Sequence, residues 1–264
     1  MISLITPTYN RGKTLTRLYE SLKVQKNFCF EWVIIDDGSA DDTSLLVASF
    51  ISESSPFEIK YFRQENSGKH IALNSGLLHS VYDFIFIVDS DDMITPDCIE
   101  TILKNITHFD NESIAGICFR KSLLDYTLLG PEFTSTEYLI TTPNKISKII
   151  NADLAYVFRR SLMELYPFPK FKNEKFVPEL LIWNKISDHG DIVFFLKKTI
   201  YLCEYLDDGY TKNFSKVLRT NPLGFLIFYS DQVLREKSLK FKLKNSLRTL
   251  QCFIYYIARL INAK

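Results

Sequence analysis

Short apolar segments that alternate with helical patterns constrain the fold of this chain most strongly. Five runs rich in β-branched and aromatic residues predict buried strands, at residues 2–6, 31–36, 59–62, 83–89 and 114–119. Leucine spacing, N-cap residues or a proline at a helix start predict helices between them, at residues 14–25, 41–51, 69–80 and 97–105. Apolar strands that alternate with helices are typical of a largely parallel sheet covered on both faces. The expected fold class is therefore α/β.

The length of 264 residues favours one α/β domain with an appended C-terminal piece. Its formal charge of +1 is unevenly distributed. After residue 234 there are eight basic residues and one acidic residue, so that segment carries +7 and the preceding part carries −6. The acidic character of the larger part argues against a nucleic-acid partner.

The sequence also predicts where the protein works. Its five cysteines include no C-x-x-C pair, which favours a reducing compartment over a disulfide framework or zinc site. The first residues enter a strand pattern without a basic leader, and the apolar stretch at 250–261 is too short to span a bilayer. We expect a cytoplasmic protein.

Polar residues follow three of the predicted strands, at 6–11, 36–39 and 89–92. Ligands of open α/β sheets bind beyond the carboxyl ends of the strands. The three clusters should therefore meet at one edge of the sheet, which is the candidate site.

Asp89, Asp91 and Asp92 place three carboxylates within four residues. Such crowded charges repel each other unless a cation compensates them, and magnesium or manganese prefers oxygen ligands. A diphosphate could complete the coordination. The alternative is a solvated turn that caps the next helix.

The pair Asp36 and Asp37 follows the second strand. One of these carboxylates could accept a hydrogen bond from a uracil imide or a ribose hydroxyl. Alternatively, the pair forms only a tight turn with Gly38.

Four segments together resemble glycosyltransferase family 2, namely residues 6–11, 33–39, 64–74 and 88–92. The resemblance covers about residues 1–120 and implies an inverting enzyme with the GT-A fold. It implies a nucleotide-sugar-binding half at residues 1–120 and an acceptor-binding half at 121–230. The residues that follow, 231–264, have the pattern of a basic amphipathic helical tail.

The resemblance also implies roles for individual residues. The residues expected to bind the donor nucleotide are Pro7, Tyr9, Arg11, Asp36, Lys69, Asp89 and Ser90. Asp89 and Asp91 would form the D-x-D pair that holds Mn²⁺ or Mg²⁺.

An inverting displacement needs a general base for the acceptor hydroxyl. Members of the family often use a Glu-Asp pair that this chain lacks, and Glu179, which follows Pro178, resembles a Pro-Glu variant of it. Asp188 and Asp191 are the other candidates. Glu179 could instead be a helix-start glutamate favoured by the helix dipole.

Two further features allow a functional and an ordinary interpretation. Thr211 or Lys212 could donate to the diphosphate from a loop that closes over it, or could lie in an exposed hairpin. Trp183 could stack on a sugar ring, although a tryptophan in such an apolar run more often belongs to the core.

The leucines and basic residues of the tail at residues 231–264 predict one or two helices. Such a helix could lie on an anionic membrane surface. Packing on the body of the protein and formation of a homodimer are the alternatives.

The sequence thus predicts a glycosyltransferase that moves a sugar from a nucleoside-diphosphate sugar, such as a UDP-hexose or UDP-N-acetylhexosamine, to a surface-polysaccharide or lipid-linked acceptor. A nucleotidyltransferase would be expected to have a glycine-rich loop after the first strand, and this loop has one glycine. A phosphatase or phosphoacceptor module would have an aspartate directly after the first strand, and none precedes Asp36. An inactive sugar-binding relative is the remaining alternative.

Overall fold

The computed structural model describes residues 1–204 and 213–262. Within them, nine strands form one sheet. The strands are β1 (Ile2–Thr8), β2 (Phe30–Asp36), β3 (Glu58–Arg63), β4 (Phe84–Ile87), β5 (Met93–Ile94), β6 (Ile114–Leu123), β7 (Tyr138–Thr141), β8 (Leu154–Arg159) and β9 (Asp191–Cys203). Their order across the sheet is β3-β2-β1-β4-β8-β6-β9-β5, and β7 pairs with β9.

Helices cover the sheet and extend the chain at its C-terminal end. They are α1 (Gly12–Lys23), α2 (Thr43–Ser52), α3 (Lys69–His79), α4 (Cys98–Asn105), α5 (Pro143–Ile150), α6 (Arg160–Leu165), α7 (Leu180–Ile186), α8 (Phe214–Thr220), α9 (Pro222–Arg235) and α10 (Leu239–Asn262), with a 3₁₀ turn at Ile106–Asp110. The five predicted strands and the four predicted helices are present, displaced by a few residues at their ends. The α/β class is confirmed.

The two halves of the sheet differ in strand direction. Strands β3, β2, β1 and β4 are all parallel, whereas β8 joins both β4 and β6 in antiparallel register. The carboxyl ends of β1, β2 and β4 therefore lie at the same edge. The first half therefore has the parallel strand arrangement that the alternation of strands and helices predicted, whereas the second half is mixed.

Both faces of the central strands are buried, because successive side chains of a strand point to opposite faces. On β1, Leu4 belongs to one apolar cluster and Ile5 to the other, and both are fully buried. Trp32 is also fully buried, and its indole N–H donates to the hydroxyl of Thr6 at 2.9 Å. This bond satisfies a polar group that would otherwise be costly to bury.

The C-terminal helices pack against each other and against the body. The three residues after α9 lead directly into α10, which lies along α9. The predicted boundaries at residues 120 and 230 fall inside β6 and α9. None of the helices in residues 1–204 and 213–262 is both long enough and apolar enough to span a bilayer.

Candidate functional site

The turn after β4 lies at the carboxyl edge of the sheet and is held there by β9. The backbone N–H of Asp89 donates to the hydroxyl oxygen of Tyr201 at 2.9 Å, and that hydroxyl donates to Asp92 Oδ2 at 2.7 Å. From α1, the guanidinium of Arg17 donates to the backbone carbonyl of Asp91. These contacts fix the acidic turn from two sides.

Lys69, at the start of α3, joins the acidic turn to the second half of the chain. Its Nζ lies 2.6 Å from Asp89 Oδ1 and 2.8 Å from Glu179 Oε1. Burial opposes the charge of Lys69, but the two carboxylates raise its pKa well above the usual range. Three of the residues predicted from the sequence are thus brought into direct contact.

A glycine allows the segment before Glu179 to reach this place. Gly68 has φ +95°, and a Cβ atom added there would lie 2.2 Å from the carbonyl oxygen of Lys175. A side chain at residue 68 would therefore collide with the passing backbone. Glu179 then directly precedes α7, with its side chain 33% exposed.

The cavity beside these residues is small, about 30 Å³, and it mixes charged and aromatic side chains. It is lined by Lys69, Ile87, Asp89, Lys121, Leu154, Tyr156, Glu179, Trp183 and Tyr201. The lining thus combines two carboxylates with two lysines, which suits a ligand that has anionic and polar groups.

The acidic pair after β2 has a different environment from the acidic turn. Asp36 is fully buried; it accepts from the Ser39 N–H at 2.7 Å and from the Tyr61 hydroxyl at 2.6 Å. Burial and then this hydrogen bond raise the pKa of Tyr61. Asp36 is therefore held by donors of the protein itself.

Asp37 organises the loop that leads to Lys69. Its Oδ1 accepts from the side chain of Gln64 and from the backbone N–H of Ser67, both at 2.8 Å. Its Oδ2 accepts from the backbone N–H of Gly68 at 2.7 Å. A carboxylate with three such donors fixes a loop.

The sequence of the chain decides its family. The family model described as "Glycosyl transferase family 2" matches residues 3–163, more than half of the chain. The chain belongs to glycosyl transferase family 2.

Curated members of the family match different shares of the chain. "Glycosyltransferase GlyG" of Streptococcus pneumoniae is 28% identical over 67% of this chain and 58% of its own length. The "GalNAc(5)-diNAcBac-PP-undecaprenol beta-1,3-glucosyltransferase" of Campylobacter jejuni is 25% identical over 85% of this chain and 72% of its own length. An uncharacterized glycosyltransferase of Rickettsia conorii is 40% identical, but over only 17% of its own length. The chain thus spans less than two thirds of several curated relatives.

Solved structures of two glycosyltransferases share the fold. Staphylococcus aureus TarS 1-349 in complex with UDP-GlcNAc has a TM-score of 0.64 at 18% identity, covering 97% of this chain and 72% of that one. Mannosyltransferase PcManGT from Pyrobaculum calidifontis, in complex with GDP-Man and Mn²⁺, has a TM-score of 0.63 at 16% identity, covering 98% and 75%. The expected GT-A fold is confirmed.

At the acidic turn, the side chains of the protein provide only part of the coordination that a divalent cation needs. Burial, and then the charge of Asp89, raise the pKa of Asp91, whereas Lys69 and Lys121 overcome the effect of burial and hold the pKa of Asp89 below its ordinary value. Within the described residues, no group of three or more metal-binding side chains occurs. Two adjacent carboxylates completed by a diphosphate fit the way in which magnesium is commonly held.

Asp92 belongs to the support of this turn. Burial raises the pKa of its carboxyl to about 7. Both of its oxygens accept hydrogen bonds, one from the Tyr201 hydroxyl and the other from the backbone N–H of Glu204 at 3.3 Å. It holds β9 to the turn.

The remaining residues expected to bind nucleotide lie around the same edge. Pro7 is buried in β1 and Ser90 is 5% exposed, whereas the ring of Tyr9 is 48% exposed. Arg11 Nε lies 3.9 Å from Asp91 Oδ2. Tyr9 and Arg11 are therefore the two of this group whose side chains are accessible to a ligand.

The other candidates for the base are away from the cavity. Asp188 pairs with Arg235 at 2.6 Å, and Asp191 is exposed at the start of β9. Trp183 is 5% exposed and packs on Phe158 with ring centroids 4.8 Å apart, so it is a core residue that also lines the cavity. Thr211 and Lys212 lie outside the described residues.

Sequence reasoning missed Lys121, Tyr156 and Tyr201. Lys121 Nζ lies 3.7 Å from the ring centroid of Tyr201, and the charges of Asp92 and Asp89 raise its pKa despite its burial. The predicted fifth strand ended at residue 119, although β6 continues to Leu123. A strand extended by four residues would have placed a lysine at the same edge.

Proposed function

We propose that this chain transfers a sugar from a nucleoside-diphosphate sugar, a UDP-hexose or UDP-N-acetylhexosamine, to a hydroxyl of a surface-polysaccharide or lipid-linked glycan. The contact of Lys69 with both Asp89 and Glu179 carries this proposal, because it joins the predicted donor site to the predicted base. The names of the relatives agree with it: TarS 1-349 was solved with UDP-GlcNAc, and the Campylobacter relative is a glucosyltransferase.

In this proposal Glu179 accepts the proton of the acceptor hydroxyl. The hydroxyl oxygen forms a bond to the anomeric carbon while the bond from that carbon to the diphosphate oxygen breaks, so the configuration inverts. Glu179 directly precedes α7 and borders the cavity, and Lys69 Nζ holds its Oε1 at 2.8 Å. A carboxylate fixed at the edge of a cavity is suited to general-base catalysis.

The donor diphosphate would lie at the acidic turn. Asp89 and Asp91 would hold Mn²⁺ or Mg²⁺, which would neutralise the charge that develops on the departing diphosphate. Lys69 and Lys121 add positive charge beside the same cavity. Tyr9 and Arg11 would line the nucleotide pocket. Asp36, predicted from the sequence to pair with the base, is fully buried with both oxygens filled by Ser39 and Tyr61, so it would support the loop instead.

Substitution of the proposed base tests the function. Glu179→Gln removes the proton acceptor, so kcat for transfer from the active nucleotide sugar should fall about 10²–10⁴-fold. The affinity for UDP with Mn²⁺ should change far less than kcat, because Glu179 is not itself a predicted nucleotide ligand and Lys69 keeps its contact with Asp89. A panel of UDP- and GDP-sugars with Mn²⁺ identifies the donor, and product formation with calorimetry gives the two parameters.

Asp188→Asn is the matched control, because that carboxylate pairs with Arg235 away from the cavity. It should retain full activity. Wild-type turnover in Glu179→Gln would mean that another residue acts as the general base. Cation-dependent UDP binding without turnover of any donor would instead identify a sugar-binding relative that does not catalyse transfer.

A further inference from the structure

The outward face of α10 is an exposed apolar stripe, which we call the α10 stripe. It consists of Leu239, Leu243, Leu247, Leu250, Ile254, Ile257 and Ile261, which are between 37% and 81% exposed. At 100° per residue these positions fall on one side of the helix. Seven large aliphatic side chains on one exposed face form a contiguous apolar surface of the kind that marks an interaction site.

The stripe is not the face by which α10 packs on the protein. Cys252, on the opposite side, is fully buried, and Tyr255 on the same side packs beneath the guanidinium of Arg219 at 5.6 Å. Arg259 donates from this inner side to the carbonyl of Asn173 at 2.7 Å. Helix α10 thus packs on α8 and α9 through one face and exposes a second, apolar face.

Charge decides which partner suits this face. Helix α10 contains no acidic residue, and its first turns expose Lys240, Lys242 and Lys244 beside the stripe. Within the described residues, none of these three lysines is in an ion pair. The nearest acid, Glu236, is 5% exposed and pairs with Lys148 at 2.6 Å.

A second copy of the chain would not match this charge pattern. Two α10 helices packed through their stripes would bring together two surfaces that have lysines and no carboxylates. An anionic lipid surface supplies both the apolar phase and the opposite charge. The helix is about 36 Å long and would lie in the plane of the interface.

We propose that the α10 stripe binds the surface of an anionic lipid bilayer, with the aliphatic side chains inserted among the acyl chains and the lysines at the headgroups. This binding is independent of sugar transfer.

The connection between α10 and the site gives the binding a consequence. Glu174 accepts from the backbone N–H groups of Leu223 and Gly224 at 3.0 and 2.9 Å, and Arg259 holds the carbonyl of Asn173. Residues 173–174 lead directly to Glu179. A bilayer bound at α10 would therefore be fixed relative to the acceptor side of the cavity, which suits a lipid-borne acceptor if the proposed function holds.

Vesicle flotation tests the proposal with the full chain. The probe is phosphatidylcholine vesicles with about 30% phosphatidylglycerol, compared with pure phosphatidylcholine. Wild type should float with the anionic vesicles, and Leu247→Ser/Ile254→Ser should reduce its partition coefficient about tenfold or more. Lys240→Gln/Lys242→Gln/Lys244→Gln should also weaken binding to the anionic vesicles.

The matched control is Leu45→Ser/Leu78→Ser, which changes two leucines that are 71% and 81% exposed elsewhere on the surface. It should bind vesicles like wild type, which separates the stripe from general surface apolarity. Light scattering of each variant in solution gives its oligomeric state, and circular dichroism confirms its fold.

Three results would overturn the proposal. Wild type could remain unbound to anionic vesicles, the stripe variant could bind as well as wild type, or the stripe variant could convert a wild-type dimer to a monomer without any vesicle binding. The last result would assign the stripe to self-association. Turnover of the nucleotide sugar with a water-soluble acceptor does not require bilayer binding, so measuring it in each variant tests the proposed function separately.

Discussion

The two acidic groups at the carboxyl edge of the sheet look alike in sequence and differ in structure. Asp36 and Asp37 accept well-formed hydrogen bonds from neutral side chains and backbone N–H groups, and the mostly exposed Arg63 adds only a contact of 3.9 Å with Asp36. Asp89 and Asp91 lie instead beside cationic side chains, with Lys69 at 2.6 Å from the first and Arg11 at 3.9 Å from the second. The oxygens of the first pair are filled mainly by neutral hydrogen-bond donors, whereas those of the second pair face cationic side chains.

This difference separates two uses of a strand-end carboxylate. A buried carboxylate whose acceptors are filled by fixed donors positions a loop, and removing it leaves those donors unpaired. Carboxylates crowded against each other are stabilised when a cation neutralises their charge, and a diphosphate can complete the coordination of that cation. Substitutions at Asp37 should therefore affect stability, and substitutions at Asp91 should affect activity.

The largest expected effect is that of Asp91→Asn. Loss of a cation ligand should lower kcat/KM for sugar transfer by about 10³-fold or more, because a bound metal contributes several kcal/mol to the stabilisation of a charged transition state. The free energy of unfolding should be unchanged or slightly higher, because the change removes a charge next to Asp89. Steady-state kinetics and urea unfolding measure both. Full activity in Asp91→Asn would remove the distinction between the two pairs.

Asp37→Asn should show the opposite profile. An amide NH₂ in place of one carboxylate oxygen would face a backbone N–H of Ser67 or Gly68, so the free energy of unfolding should fall by about 1–3 kcal/mol. Urea denaturation with an unchanged m-value measures this loss. Wild-type stability in this variant would mean that the three hydrogen bonds contribute little.

The smallest expected effect concerns His70, which lies between the two acidic groups. Burial lowers its pKa to about 4, against the smaller opposing effects of the Lys175 backbone and the charge of Asp37. The unfolded chain binds a proton near pH 6.5 and the folded chain does not, so stability falls as the pH drops from 6.5 towards 4. The free energy of unfolding should be about 1 kcal/mol lower at pH 5.5 than at pH 7.5 from this group.

His70→Phe is the control for this measurement, since it keeps a ring beside Phe168 and cannot titrate. Its loss of stability over the same pH range should be smaller by that amount. Equal pH profiles of the two proteins would show that His70 takes up its proton equally in the folded and unfolded states, which would contradict the lowered pKa.

The first half of the fold could be predicted from the sequence because its signals are local. Strands β1, β2 and β4 are continuous apolar runs, and each is followed by polar residues whose place at the sheet edge follows from parallel geometry. Within the first 92 residues, the places of these polar residues relative to each other could therefore be predicted from strand order alone. Asp89 was assigned to the site on that basis together with the family resemblance, and Lys69 through the resemblance alone.

The second half could not be predicted equally well because its site residues depend on distant packing. Tyr201 reaches the acidic turn from β9, more than 100 residues later, and nothing near Tyr201 in sequence indicates this. Lys121 lies within a strand that was predicted to end too early. Glu179 was identified only through a resemblance, and its contact with Lys69 depends on a backbone approach at Gly68 that no local pattern reveals.

Because of that backbone approach, the two halves of the chain depend on each other for their conformation. The carbonyl of Lys175 lies where a side chain of residue 68 would be, so the loop before α3 and the segment before α7 must adopt their conformations together. A hybrid that joined the first half of this chain to the second half of another transferase would have to reproduce the path of that backbone as well as the acid at position 179. The close passage of the backbone at Gly68 therefore limits which second halves such a chain can accept.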